Sequence, residues 1–495
     1  MTAMSLRRRV VHLTAGAAVA AGLLAALELG LRLAGVGVAD PAGGFDPTRL
    51  YLVPSQETPG GWRTTYEGSG MEVPPKTTER WLFVGASTGA GWGSRRLQLT
   101  YERATGRKVE VVNLSQAGFG TGRLALIVEQ GIRRLDPDLI VIYGGDNEFL
   151  EARPSERGLG SEDGSLAGVV RGSRTAQLLT GLLKLRETRL PEPFVVLSPG
   201  QRSRLPLEGR QERMEGLREN LRRICTLGRE ADVEIVLSTL LYNRFAAPYE
   251  SGIEKHHRPT NPKRYRQLVE RIPTLYPDFL RTLVPEDRRD LPRASDWRRW
   301  KQRPGAKGPP AEHPPVLPGR RECLPPLAGW VDDPKTMARW GQIIWDFYAA
   351  LERLNTRDVT EEERAALEEA ERLLEAAVEL RPTDAQKHFE LGLVRYVLGR
   401  GAADVAASLE LAGDLDRAPR RGSRQVNEVI REVAAEFPEV LLFDADAYFA
   451  SLSPDGIVGW DWMHDHCHLS VNAYRALYPA LIEAIREKRG LPRRD

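Results

Sequence analysis

The sequence predicts an α/β protein: a three-layer α/β/α sandwich around a parallel five-stranded sheet. Two observations carry this. Short apolar runs such as WLFVG, VEVVNL and LIVIY are continuous rather than alternating, the pattern of strands buried on both faces. Helical stretches separate these runs, which is the βαβ arrangement that builds a parallel sheet.

Taken in chain order, the N-terminus concerns location. Arg7, Arg8 and Arg9 precede an uncharged run from Val10 to Leu27, and the apolar stretch continues to about Val38, broken only by Glu28 and Arg32. Eighteen or more apolar residues approach what a helix needs to cross ~30 Å of hydrocarbon. Arginines before the run favour a cytoplasmic N-terminus with the remainder exported. Residues 1–39 are therefore expected to be a transmembrane anchor. A cleaved signal peptide is the rival, since Gly37, Val38 and Ala39 are small residues before Asp40.

Residues 40–78, rich in Gly, Pro and Thr, read as a linker and an irregular cap. The α/β domain then begins, with a first part over 79–245. Its strands are Trp81 to Gly85, Val109 to Leu114, Leu139 to Tyr143 (introduced by Asp136-Pro137-Asp138) and Val233 to Leu241. Amphipathic helices are expected at Thr121 to Leu135 and Leu207 to Ala231. The fifth strand, Val440 to Phe443, lies in a last part of the domain over 417–495, so about 200 residues are inserted ahead of it.

The insertion has two portions. Residues 246–335 carry many prolines and arginines, and read either as an extended excursion bordering the site or as disorder. Residues 336–416 read as helical. Thr336 to Leu354 places Trp340, Ile343, Ile344, Phe347 and Leu351 on one face. Glu361 to Leu380, Ala385 to Leu398 and Ala402 to Leu411 follow, with breaks at Arg381-Pro382-Thr383 and Gly399-Arg400-Gly401. This series resembles tetratricopeptide repeats at Leu391, Gly392, Tyr396, Gly399 and Ala406. It covers about one and a half units, fewer than an independent array needs, so the helices are expected to pack on the body of the protein. A protein partner on them stays open.

The chain has 495 residues, 70 basic and 68 acidic, for a formal net charge of +2. That balance gives no support to a nucleic-acid partner, which calls for a basic excess or face. Three cysteines, Cys225, Cys323 and Cys467, allow at most one internal disulfide, so this is not a disulfide-stapled scaffold.

Four residues stand out: Ser87 in GASTG, Gly118 in SQAGFG, Asn147 in GGDNE and His468 in DHCHLS. The first three each follow a predicted strand, where open α/β sheets hold ligands. Acyl transfer through serine needs a nucleophile, a base and donors for the developing oxyanion. Alone, Ser87 reads as a turn residue; a phosphate cradle is a poor alternative, because no Gly-x-Gly-x-x-Gly and no Lys-Ser/Thr pair follows. Gly118 alone is a loop glycine, and Asn147 could cap a following helix. Asp465 and His468 lie three apart, so the carboxylate could orient the imidazole as a base must be oriented. A metal site is the rival for His464, Asp465, His466, Cys467 and His468, but alternating histidines in one short run seldom supply tetrahedral ligands. No metal and no organic cofactor is expected.

These blocks resemble the SGNH/GDSL hydrolases. GASTG is similar to their first block, with Ala86 where aspartate is usual, NLSQAGFG to the second, GGDNE to the third and DHCH to the last. The resemblance implies a flavodoxin-like SGNH fold, with the hydrolase domain over 79–245 and 417–495. It implies Ser87 as nucleophile, His468 as base and Asp465 as its orienter. The oxyanion hole would be the Ser87 N–H, Gly118 and Asn147. The implied activity is ester hydrolysis, of an acylated carbohydrate or lipid, through an acyl-enzyme. Alternatives are acyl transfer to an extracytoplasmic glycan and an inactive hydrolase-like body that recruits a partner through the repeat-like helices. The anchor followed by a body interrupted by repeat helices is similar to a membrane-tethered bacterial subgroup, which implies a single-pass protein with its catalytic domain on the periplasmic side.

Overall fold

The computed structural model describes residues 26, 50–65, 70–152, 197, 207–248, 258–284, 349–416, 419 and 421–492. Apart from Ala26, the expected anchor or signal peptide of residues 1–39 lies outside the described residues. So do Cys323, residues 285–335 and the helix start carrying Trp340, Ile343, Ile344 and Phe347. Among the described residues, no helix is long and apolar enough to cross a membrane.

The expected irregular cap contains regular structure. Strands β1 (Leu52–Pro54), β2 (Trp62–Thr64) and β3 (Glu72–Val73) form an antiparallel sheet. At two or three residues each, they are too short for alternation to register in the sequence. Side chains of a later helix hold β1: Gln130 Oε1 accepts the Tyr51 N–H at 2.8 Å, and the Arg134 guanidinium donates to the Leu52 carbonyl.

The main sheet comprises β4 (Glu79–Gly85), β5 (Val109–Asn113), β6 (Leu139–Tyr143), β7 (Glu234–Ser238) and β8 (Leu441–Phe443). Its order is β5-β4-β6-β7-β8. β4 pairs in parallel with β5 and β6, and β6 with β7. All five residues of β6 are buried, as are six of the seven in β4, which accounts for their unbroken apolar runs. Chain order proceeds outward in both directions from β4. The sheet therefore has a topological switch point between β4 and β6, where such sheets open a crevice beyond their carboxyl ends.

Helices Thr121–Leu135 and Leu207–Glu230 connect these strands. The first ends where Asp136 takes a left-handed conformation at φ 47°, a stop that aspartate tolerates better than most residues. Arg223 on the second pairs with Glu129 on the first at 2.6 Å. Helix Arg424–Glu436 precedes β8 and meets Leu207–Glu230 through Arg218–Glu432 and Arg222–Glu436 ion pairs at 2.6 and 2.7 Å.

The chain divides into two compact units. One comprises Met1–Ser238, Val429–Leu442 and Gly490–Asp495, the other Thr239–Glu428 and Phe443–Arg489. The core of the second unit is helical. Helices Glu361–Leu380, Ala385–Val397 and Ala402–Asp414 form a series with a helical segment at 349–356. Thr360 and Glu363 cap the first of these reciprocally, side chain to backbone in both directions. At Gly392 the next two helices are in close contact. A Cβ there would lie 2.5 Å from a Leu409 methyl carbon, so the glycine noted in the repeat-like pattern has a packing cause.

The stretch after residue 246 is not uniformly irregular. Residues 258–284 contain helices Pro262–Arg271 and Asp278–Leu283, joined by a 3₁₀ turn at Ile272–Leu275. Leu268, Ile272, Tyr276, Phe279 and Leu280 are buried in one cluster with Leu354, Leu367, Leu374 and Phe389. Fully burying a side chain such as Phe389 contributes about 1.5–3 kcal/mol. Proline and arginine content hid this signal: the apolar residues recur three or four apart, but Pro273 and Pro277 fall between the two helices and keep them from reading as one.

Candidate active-site elements

Within the first unit, three loops leave the carboxyl ends of neighbouring strands β4, β5 and β6, and carry Ser87, Gly118 and Asn147. Ser87 opens a single helical turn, Ser87–Ala90, with Ala86 extended ahead of it. As the first residue of that turn, its N–H has no acceptor within the helix. The Ser87 side chain is partly exposed, whereas Thr88 and Gly89 behind it are buried.

The two glycines of GASTG serve contact rather than a strained turn. A Cβ on Gly85 would sit 2.4 Å from the Tyr143 carbonyl oxygen, and one on Gly89 would sit 2.7 Å from Ser115 Oγ. Side chains at these positions would push the serine loop off β6 and off the loop after β5.

Hydrogen bonds join the three loops. The Gln116 N–H donates to the Gly85 carbonyl at 3.0 Å. Asn113 closes β5, and its amide donates to the carbonyls of Gly89 and Trp92, both at 3.1 Å. Its Oδ1 accepts the Ser115 N–H at 3.0 Å. The Thr88 hydroxyl donates to Asp146 Oδ2 at 3.2 Å, both residues being buried. Beneath them Trp92 lies against Phe83 and Tyr143, with ring centroids 4.1 and 5.2 Å away.

Gly118 is buried at φ 85°, in a turn closed by the Phe119 N–H donating to the Gln116 carbonyl. Position three of a type II turn demands positive φ, hence glycine. Turn geometry alone therefore suffices to place a glycine there, whatever its amide does chemically.

The residues directly after Asn147 form turns, over 146–150, rather than a helix for it to cap. Its carbonyl accepts the N–H groups of Leu150 and Glu151, and its Nδ2 donates to the Phe119 carbonyl at 3.3 Å. One of the two amide hydrogens thus ties GGDNE to the loop after β5.

A buried charged shell supports this third loop. Glu151 and Glu148 accept the Gly120 and Thr121 N–H groups at 2.9 and 2.7 Å. Carboxylates there complement the start of helix Thr121–Leu135. Arg123 pairs with Glu151 at 2.5 Å. Arg213, from helix Leu207–Glu230, donates to the Glu148 and Glu151 carbonyls. Burial pushes the Glu151 carboxyl up to about 7, against the opposing pull of Arg123 and the Gly120 N–H.

Within the second unit, His468 lies in the loop before helix Val471–Lys488, which Ser470 caps. Asp465 shapes this loop. Its Oδ1 accepts the Cys467 and His468 N–H groups at 2.8 and 2.7 Å, and its Oδ2 meets His468 Nδ1 at 2.7 Å. One carboxylate thereby fixes both the backbone turn and the ring it orients. Burial would raise the Asp465 carboxyl, but the His468 hydrogen bond, the nearby His466 and His468 rings and the His468 N–H outweigh it. The carboxyl is held well below the usual range and stays ionised.

A short bridge pairs Met463 with Leu469, and the His464 N–H donates to the His468 carbonyl at 2.8 Å. His464 itself is exposed. Asp465, His466 and Cys467 each bring one ligand atom within 4.8 Å of the others. Both Asp465 oxygens are already engaged by the Cys467 and His468 donors, so a metal would compete with those bonds for the carboxylate. His468 Nδ1 also lies 3.4 Å from the buried Cys467 sulfur.

Sequence reasoning missed Asn113, the Thr88–Asp146 link, Arg213 and Asn243. The last is buried in the loop after β7 and bonds the Asp465 and His466 backbone. Nothing local distinguishes these residues from ordinary strand-end or helix-surface residues. The chain matches no protein-family model and no curated protein.

Proposed function

We propose that the protein is a serine ester hydrolase of the SGNH type. The observation that carries this reading is the 2.7 Å contact between Asp465 Oδ2 and His468 Nδ1, in a turn built by the same carboxylate. An ionised carboxylate on Nδ1 fixes the tautomer that leaves Nε2 as the base, and stabilises the imidazolium once the proton arrives. The other support is the set of loops after β4, β5 and β6, beside the switch point of the sheet.

In this reaction His468 Nε2 takes the Ser87 hydroxyl proton as Oγ attacks an ester carbonyl. The tetrahedral oxyanion is received by the Ser87 N–H, Gly118 N–H and the Asn147 amide. Collapse expels the alcohol, protonated by His468, and leaves an acyl-Ser87. Water, deprotonated by His468, attacks that ester and regenerates the serine, releasing a carboxylic acid. The chemistry needs no metal and no organic cofactor. A membrane anchor over residues 1–39, with the hydrolase on the periplasmic side, rests on the apolar N-terminal run and its preceding arginines.

Ser87→Ala tests this directly with a generic activated ester such as a p-nitrophenyl ester. Turnover should fall to the uncatalysed level while the thermal transition is kept. Retained turnover would contradict the proposal.

A further inference from the structure

The Asp465–His468 pair lies in a loop, not on a strand, and something must fix the loop itself. We infer that Asn243 is the positioning residue for this pair, an inference that rests on reading the pair as base and orienter. Asn243 is fully buried in the loop that follows β7. Its Nδ2 donates to the Asp465 carbonyl at 3.2 Å, and its own N–H donates to the His466 carbonyl at 3.1 Å. These bonds grip consecutive carbonyls of the turn, at Asp465 and His466.

Asn243 is in turn immobilised by its neighbours. Its Oδ1 accepts the Phe245 N–H at 3.0 Å, and its carbonyl accepts the Arg421 guanidinium at 2.6 Å. The same guanidinium also donates to the Ala246 carbonyl at 2.7 Å. Phe245 packs edge-on against Tyr396 of helix Ala385–Val397, centroids 4.8 Å apart. Phe245 also meets Gly459, where a Cβ would come within 2.6 Å of the ring. The Arg244 N–H donates to the Val458 carbonyl at 3.1 Å, and its guanidinium pairs with Asp446 and Glu410 at 3.0 and 3.2 Å.

The His468 loop is thus clamped to a segment that the helical series also holds. Asparagine suits this buried position because a single side chain must donate to one carbonyl and accept from one N–H. Every polar group of Asn243 named here has a partner in the segments it joins. No bond of Asn243 reaches the imidazole directly, so its effect on chemistry passes through Asp465.

The test uses the full chain and a signature that does not depend on turnover. A proton held between a carboxylate and Nδ1 gives a far-downfield proton NMR resonance. The wild-type protein and Ser87→Ala should both show it, and His468→Ala should not. Asn243→Ala should broaden or lose it, and should lower kcat on p-nitrophenyl ester on the order of 10²-fold with KM little changed.

Asn243→Asp keeps the acceptor for the Phe245 N–H, loses the donor to Asp465 and sets a carboxyl oxygen against the Asp465 carbonyl in its place. It decides the matter if the alanine variant fails to show a cooperative thermal transition, and it should lose the resonance too. A resonance that persists in a folded Asn243 variant, or that is missing from the wild type, overturns the inference. If the wild type shows the resonance and Asn243 variants lose it, but no ester is turned over, the hydrolase proposal fails and the positioning role stands.

Discussion

The serine-bearing loops of the first unit and the histidine-bearing loop of the second are held by opposite means. Ser87, Gly118 and Asn147 follow strands of a buried parallel sheet, and bare backbone does much of the positioning. Gly85 and Gly89 work by having no side chain, since a Cβ at either would collide with Tyr143 or Ser115. His468 has no strand ladder behind it. Beyond the single Met463–Leu469 bridge, its geometry comes from side chains, namely the Asp465 carboxylate that closes the turn and Asn243, which Arg421 holds in turn. The serine side should therefore be sensitive to adding atoms, and the histidine side to removing them.

The largest effect that would sharpen this contrast is expected from Asp465→Asn. The amide cannot hold the same tautomer or stabilise the imidazolium, and kcat should fall by about 10⁴. A loss of less than tenfold would remove the side-chain lock from the histidine side. Asn147→Ala comes next, with an expected loss of about 10²–10³ in kcat and little change in KM. If KM rises instead, Asn147 binds substrate rather than the oxyanion.

The buried shell around Glu151 gives a stability effect. A carboxyl raised to about 7 in the folded protein favours folding most when it is protonated. That contribution is fully present below the unfolded value of about 4.3 and is lost as pH rises through 7, amounting to at most ~4 kcal/mol. Glu151→Gln should flatten the fall in unfolding free energy between those limits, as read by chemical denaturation at several pH values. An unchanged slope would show that Glu151 titrates normally. The smallest effect is Gly85→Ala, where forcing a methyl against the Tyr143 carbonyl should cost about 1–3 kcal/mol. A neutral outcome in thermal melts would break the comparison on the serine side.

Much of this fold was legible in the sequence because its central strands β4, β6 and β7 are buried on both faces. The run LIVIY at 139–143 and the helix over 121–135 match the observed elements to the residue, the helix stop being marked by Asp136-Pro137. Regular elements of two or three residues, such as β1 to β3, leave no periodic trace. Residues 258–284 were obscured by prolines that end helices without preventing burial. The spacing Asp465-x-x-His468 made an oriented imidazole legible, because three residues span one turn. Asn243 was not, since a residue 222 positions from Asp465 is found only once the chain has folded.

The most direct measurement is labelling of the folded full-length protein with a fluorophosphonate, followed by mapping of the modified peptide. A catalytic Ser87 served by His468 predicts one adduct on Ser87, slowed by orders of magnitude in His468→Ala. No adduct on Ser87, or labelling at the same rate without the imidazole, would contradict it.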